Sequence, residues 1–144
     1  MDKQIESEIQ AKGLTTPRVV PADVEAEIAS EHCFTAFDGA LGAASNENES
    51  AEAAARIAMG MPLQLQLLTI CVLVLHNGFT VTGESACASP ENFDAEIGRK
   101  IARQNALQKI WPLLGFRLRD QLARPALTEA DAAADLAGTP RPNR

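Results

Sequence analysis

Two strand-like runs meet at Asn77-Gly78, and that junction constrains the chain more than any other feature. Leu67 to Leu75 precedes it, and Thr80-Val81-Thr82-Gly83-Glu84 follows. Asn-Gly between two such runs signals a β-hairpin, because both turn residues must tolerate positive φ. With Asn77-Gly78 as a two-residue loop, Val74 faces Val81 and Leu73 faces Thr82. The first strand is apolar on both faces, whereas the second alternates Val81 with Thr80 and Thr82. A strand of the first kind has to be covered on both sides, by helices or by a second subunit, while the second can lie half-exposed.

The segments around the hairpin read as helices. Ser89-Pro90-Glu91 supplies a serine cap, a proline at the first helical position and an acid in the first turn. Phe93, Ile97 and Ile101 form an apolar stripe that Ala102, Ala106 and Ile110 widen, and Glu96 and Lys100 stand four apart in the stabilising order. Trp111-Pro112 ends or kinks this helix, and Leu114, Leu118 and Leu122 mark a further one that Pro125 stops. Upstream, Ile5 and Ile9 mark a short helix ended by Gly13, and Pro21-Ala22-Asp23 opens another whose stripe is Val24 and Ile28. Phe34 and Phe37 follow, with Asp38-Gly39 as a turn signal, and the alanine-rich residues 51–59 favour helix. The expected class is α+β: a small domain with a hairpin at about 67–84, packed by helices at about 90–110 and 113–123 and preceded by short N-terminal helices. Its expected organisation is an acidic helical part over 1–62 with a mobile loop near 45–50, an α+β core over 63–124, and a disordered tail over 125–144 with one loose turn near Thr128.

Charge is distributed unevenly over the 144 residues, whose net is -6. Residues 1–60 hold eleven acids against four bases, whereas residues 92–124 hold seven bases against three acids. The two parts can attract each other within one molecule or between two copies, or simply be solvated helix faces of opposite sign. Three scattered cysteines, Cys33, Cys71 and Cys87, do not make a disulfide scaffold. No apolar run approaches the roughly 20 residues of a membrane span, and the first residues lack the apolar stretch of a secretory signal. A cytoplasmic protein with reduced thiols is the expectation.

No constellation for catalysis emerges. His32 and His76 lack the converging ligands a metal needs, and there is no C-x-x-C, H-E-x-x-H, P-loop or G-x-G-x-x-G. Cys87 precedes a helix start that can lower a thiol pKa, but cysteine is also a small buried residue. The stretch Gly83 to Ser89 leads from a strand into a capped helix, where free backbone N–H groups can hold a phosphate or carboxylate. Ser85, Ser89 and Glu91 with Arg99 and Arg103 are therefore the candidate ligand-binding residues, for an anionic nucleotide. The plain alternative is a close-packed loop in which Ser89 satisfies those groups itself. The bases of residues 99–124 could contact nucleic acid, but the acidic chain has one tryptophan, no tyrosine and no recognised binding motif.

The run from Asn77 to Phe116, with Cys71-Val72-Leu73-Val74-Leu75 before it and Glu31 to Gly39 further upstream, resembles the gene-product-49-like family of small tailed-phage proteins. The resemblance lies mainly over residues 71–116 and implies a phage or prophage accessory protein acting in a bacterial cytoplasm. It carries over no reaction, cofactor or site residue. Small accessory phage proteins commonly bind host components, so the expected function by analogy is binding of a host protein, as a counter-defence inhibitor. The alternatives are a sponge for a signalling nucleotide and, more weakly, a nucleic-acid binder. The chain is expected to be no enzyme, to need no cofactor, to avoid membranes and to form a homo-oligomer.

Overall fold

A computed structural model describes residues 3–14, 16–124 and 127–142. The chain runs through α1 (Lys3–Ala11), α2 (Pro21–Ala26), β1 (Ile28–Thr35), α3 (Ala36–Ala44), α4 (Ala51–Gly60), β2 (Leu68–Leu75), β3 (Thr80–Ala86), α5 (Ala95–Ala123) and α6 (Glu129–Ala137), with short 3-10 turns at Leu63–Leu67 and Pro90–Asn92. The strands form one antiparallel sheet in the order β1-β2-β3. The fold is thus α+β, with a hairpin packed by helices and short helices before it. Among the described residues no helix is long and apolar enough to cross a membrane.

The hairpin forms, one residue out of the expected register. Leu73 pairs with Val81 and Val74 with Thr80. The loop has three residues, His76 to Gly78: the Gly78 amide donates to the Leu75 carbonyl at 2.9 Å and the Leu75 amide to the Phe79 carbonyl at 2.8 Å. Such a loop needs positive φ only at its last position, and Gly78 supplies it at 86°. Burial decides the register, because this pairing puts fully buried Leu73 beside buried Val81 on one face. A Cβ on Gly78 would meet nothing within 4 Å, so Gly78→Val is expected to cost about 1–3 kcal/mol from backbone conformation alone. An unchanged melting temperature would contradict this account of the turn.

β1 was not expected, since Val24 and Ile28 read as one helical stripe. The α2 helix stops at Ala26, and Ile28 instead opens an edge strand held by β2 from Ile28–Leu75 to Thr35–Thr69, with a bulge between Ile28 and Ser30. Asp38-Gly39 is likewise no turn. Asp38 accepts the Thr35 amide at 3.2 Å while Thr35 Oγ1 accepts the Asp38 amide at 3.1 Å, a reciprocal cap that starts α3.

The two expected C-terminal helices are one helix of 29 residues. It starts at Ala95 rather than Pro90, because Asp94 accepts the Ile97 amide at 3.0 Å, and it continues through Pro112. Pro112 and Gln108 are both exposed, so the hydrogen bond the proline cannot make is lost on the outer side of the helix rather than in the core. Gly98, Ala102, Ala106, Ile110 and Leu114 are its buried residues, a row at i+4 spacing that runs unbroken past the proline. The expected stripe of Ile97 and Ile101 is instead 56% and 44% exposed. The row packs on Cys71, Leu73, Leu75 and Val81 of the sheet, and Val24 of α2 joins the same cluster. Pro125, the expected stop, lies outside the described residues. Beyond it, where the expectation was a frayed tail with one loose turn, Thr128 and Asp131 cap each other reciprocally and start the nine-residue α6.

Candidate functional site

The acidic first part and the basic third part meet within one molecule. The Arg103 guanidinium on α5 donates to both Glu25 carboxylate oxygens, at 2.8 and 3.0 Å, and through Nε to Glu31 at 2.8 Å. Arg117 pairs with Glu27 further along the same helix. Arg103 holds the Glu25 carboxyl below the ordinary carboxylate range. A carboxyl lowered by folding adds stability that is fully present above its unfolded pKa and is lost as pH falls through its folded pKa. Below about pH 4.3, the wild type is therefore expected to lose stability more steeply than Arg103→Met. Urea melts from neutral to acid pH check this; parallel curves would remove the pair from the acid response.

The other expected ligand residues are placed differently from a helix-start anion site. Gly83 to Ala86 belong to β3, where Ser85 pairs with Thr69. Ser89 makes no side-chain cap; its hydroxyl donates to Glu91 at 2.6 Å and lowers that carboxyl's pKa. The N-terminus of α5 is occupied by the carboxylate of Asp94. Of the five residues, Ser89 and Glu91 are brought together, Arg103 is engaged by two carboxylates, and Arg99 lines a cleft with Cys33, Phe34, Asp38, Thr69 and Phe93. That cleft is about 90 Å³, against the roughly 300–1,000 Å³ typical of sites for drug-sized ligands. Among the described residues no group of three or more His, Cys, Asp or Glu side chains could hold a metal ion.

The larger feature is the sheet face opposite α5. Alternation along β2 sends Thr69, Cys71, Leu73 and Leu75 under the helix, all buried, and turns Ile70, Val72 and Val74 outward, all half-buried. Pairing extends these into three cross-strand rows: Phe34-Ile70-Glu84, His32-Val72-Thr82 and Ser30-Val74-Thr80. His32 lies 3.2 Å from the Ser30 hydroxyl and Thr82 donates to Glu84 at 3.3 Å, each within its own strand. α3 reaches this face at its Phe34 end, where Gly39 sits against the ring. Among the described residues no helix packs along the rows of Val72 and Val74. One face of β2 has the cover its sequence demands, and among the described residues the other is covered by a helix only at its Phe34 end.

The same register creates a pair the sequence did not reveal. Cys33 and Cys71 are cross-strand partners, and their sulfurs are 2.9 Å apart. Burial, then the hydrogen bond from Cys33, pushes the Cys71 thiol up to about 12. A strand reading of Glu31 to Phe34 would have been the signal for it.

A family model described as phage protein (N4 Gp49/phage Sf6 gene 66) family matches residues 19–122. The match spans α2 through nearly all of α5, well over half of the chain, which therefore belongs to that family. No curated protein and no solved structure matches it.

Proposed function

We propose that this phage protein acts by docking onto a protein of the infected bacterium through the outer face of its sheet, as a non-enzymatic inhibitor in counter-defence. The observation that supports the reading is the uncovered centre of β2, where Val72 and Val74 stand between short polar neighbours and no helix covers them. A central strand apolar on both faces gains most when both are buried, and a partner supplies what the chain does not. The nucleotide reading draws on Arg99 at the small cleft, and the face could also receive a second copy.

The test is capture from host lysate, with mass spectrometry of bound proteins and small molecules, for the wild type and Val74→Lys. Val74 is half-buried and its lysine stem can lie along the sheet with the amine in water, so stability is expected to change by less than about 1 kcal/mol. A host protein held by the wild type and reduced at least about tenfold by Val74→Lys supports docking; tenfold corresponds to about 1.4 kcal/mol of binding. Equal capture by both proteins rejects the face. A co-purifying nucleotide favours the ligand reading, and a doubled mass in light scattering that Val74→Lys halves assigns the face to self-association.

A further inference from the structure

Cys33 and Cys71 are free thiols on neighbouring antiparallel strands, paired in register with their sulfurs 2.9 Å apart. Such partners have Cα atoms about 4.5–5.5 Å apart, within the 4.4–6.8 Å that a disulfide spans. Joining them needs no strand to move. Their access differs: Cys71 is fully buried beneath α5, whereas Cys33 is half-buried and lines the small cleft beside Arg99. We propose that this pair is a redox modification site for low-molecular-weight disulfides, with Cys33 the entry sulfur and Cys71 the resolving one.

In the first step the Cys33 thiolate attacks one sulfur of the small disulfide. That S–S bond breaks, a mixed disulfide forms on Cys33, and the departing thiolate takes up the Cys33 proton. In the second step the Cys71 sulfur attacks Cys33 Sγ, the mixed disulfide breaks, and the second small thiolate leaves with the Cys71 proton. Two protein thiols are oxidised to one disulfide, and one small disulfide is reduced to two thiols. Burial holds Cys71 protonated in the reduced protein, which favours entry at Cys33. The product staples the edge strand β1 to the central strand and closes a loop that contains α3 and α4. The pair lies on the α5 side of the sheet, so its chemistry stands whether or not the outer face binds a protein.

The test uses the full chain carrying Cys87→Ser, incubated with oxidised glutathione, quenched in acid, and followed by intact mass and non-reduced peptide mapping. The expected end product is lighter by two hydrogens, yields a linked Cys33–Cys71 peptide and melts at a higher temperature than the reduced chain. A single glutathionyl adduct on Cys33 is expected on the way, and in Cys71→Ala it should live at least about tenfold longer. A lasting adduct in the chain that retains Cys71, a link between two molecules, or no reaction would overturn the proposal. Should Cys71→Ala fail to fold, the mass and the linked peptide of the chain that retains Cys71 decide alone.

Discussion

Gly83→Ala is expected to cost about 3 kcal/mol or more and to come close to abolishing the folded state, although it adds a single methyl group. Gly83 pairs with Cys71 at the point where β3 passes under α5. A Cβ at that position would lie inside the van der Waals envelope of the Ala102 carbonyl oxygen and the Ala106 amide nitrogen. Both are backbone atoms of α5, so no side-chain rotation relieves the clash. The helix would have to lift from the sheet, parting the contacts of Ala102 and Ala106 and weakening the Asn105 hydrogen bond to the Glu84 carbonyl, now 2.8 Å. Urea unfolding followed by circular dichroism measures the loss. A midpoint within error of the wild type would mean that helix and sheet are not in contact there.

Ile110→Ala is expected to cost about 2–5 kcal/mol, and Ile97→Ala no more than about 0.5 kcal/mol. The two isoleucines lie on one helix, yet Ile110 is fully buried and Ile97 is 56% exposed. Ile110 is the first large side chain in the buried row, following Gly98, Ala102 and Ala106, and it belongs to the core cluster that α5 forms with the sheet. Truncation there leaves a cavity, because Leu73, Cys71 and the α5 backbone are themselves close-packed. Midpoints from urea melts of the two variants rank them. Equal losses would put Ile97 back in the core and remove the small-residue row as the seam between helix and sheet.

The elements that came out of local chemistry were legible in advance. Asn77-Gly78 announced the hairpin, Pro21 and Asp23 the start of α2, Gly13 the end of α1, and the alanines of 51–59 the fourth helix. Each rests on a backbone preference that a few neighbouring residues carry by themselves. The family, too, was visible in the run around the hairpin and in Glu31 to Gly39, and the match over residues 19–122 extends that resemblance to most of the chain.

Two local signals were missed, the reciprocal caps Thr35–Asp38 and Thr128–Asp131 that start α3 and α6. The other failures were features whose energy comes from a distant partner. Ile28 to Thr35 contains Ala29, Ser30 and Glu31, poor strand formers, and becomes a strand because β2 offers it an edge. Pro112 remains in a helix because the buried row continues from Ile110 to Leu114 across it, so packing outweighs one lost hydrogen bond. Ile97 and Ile101 looked like core by hydrophobicity, but the sheet receives the small residues, since only they let α5 approach Gly83. The candidate site divides in the same way. Arg99 and Arg103 were recognisable as cations, but that Arg103 is engaged by Glu25 and Glu31 depends on where α2 and β1 fold. The residues of this chain determined by themselves that there is a hairpin, that helices flank it and to which family it belongs. The Cys33–Cys71 pair was decided by tertiary structure alone, because its partners lie 38 residues apart in the chain, where no local preference can reach. The one-residue register joins near neighbours in the chain, yet it too was decided by tertiary structure, since burial of Leu73 and Val81 under α5 selects it over the alternative, and the same register turns Val72 and Val74 to the open face.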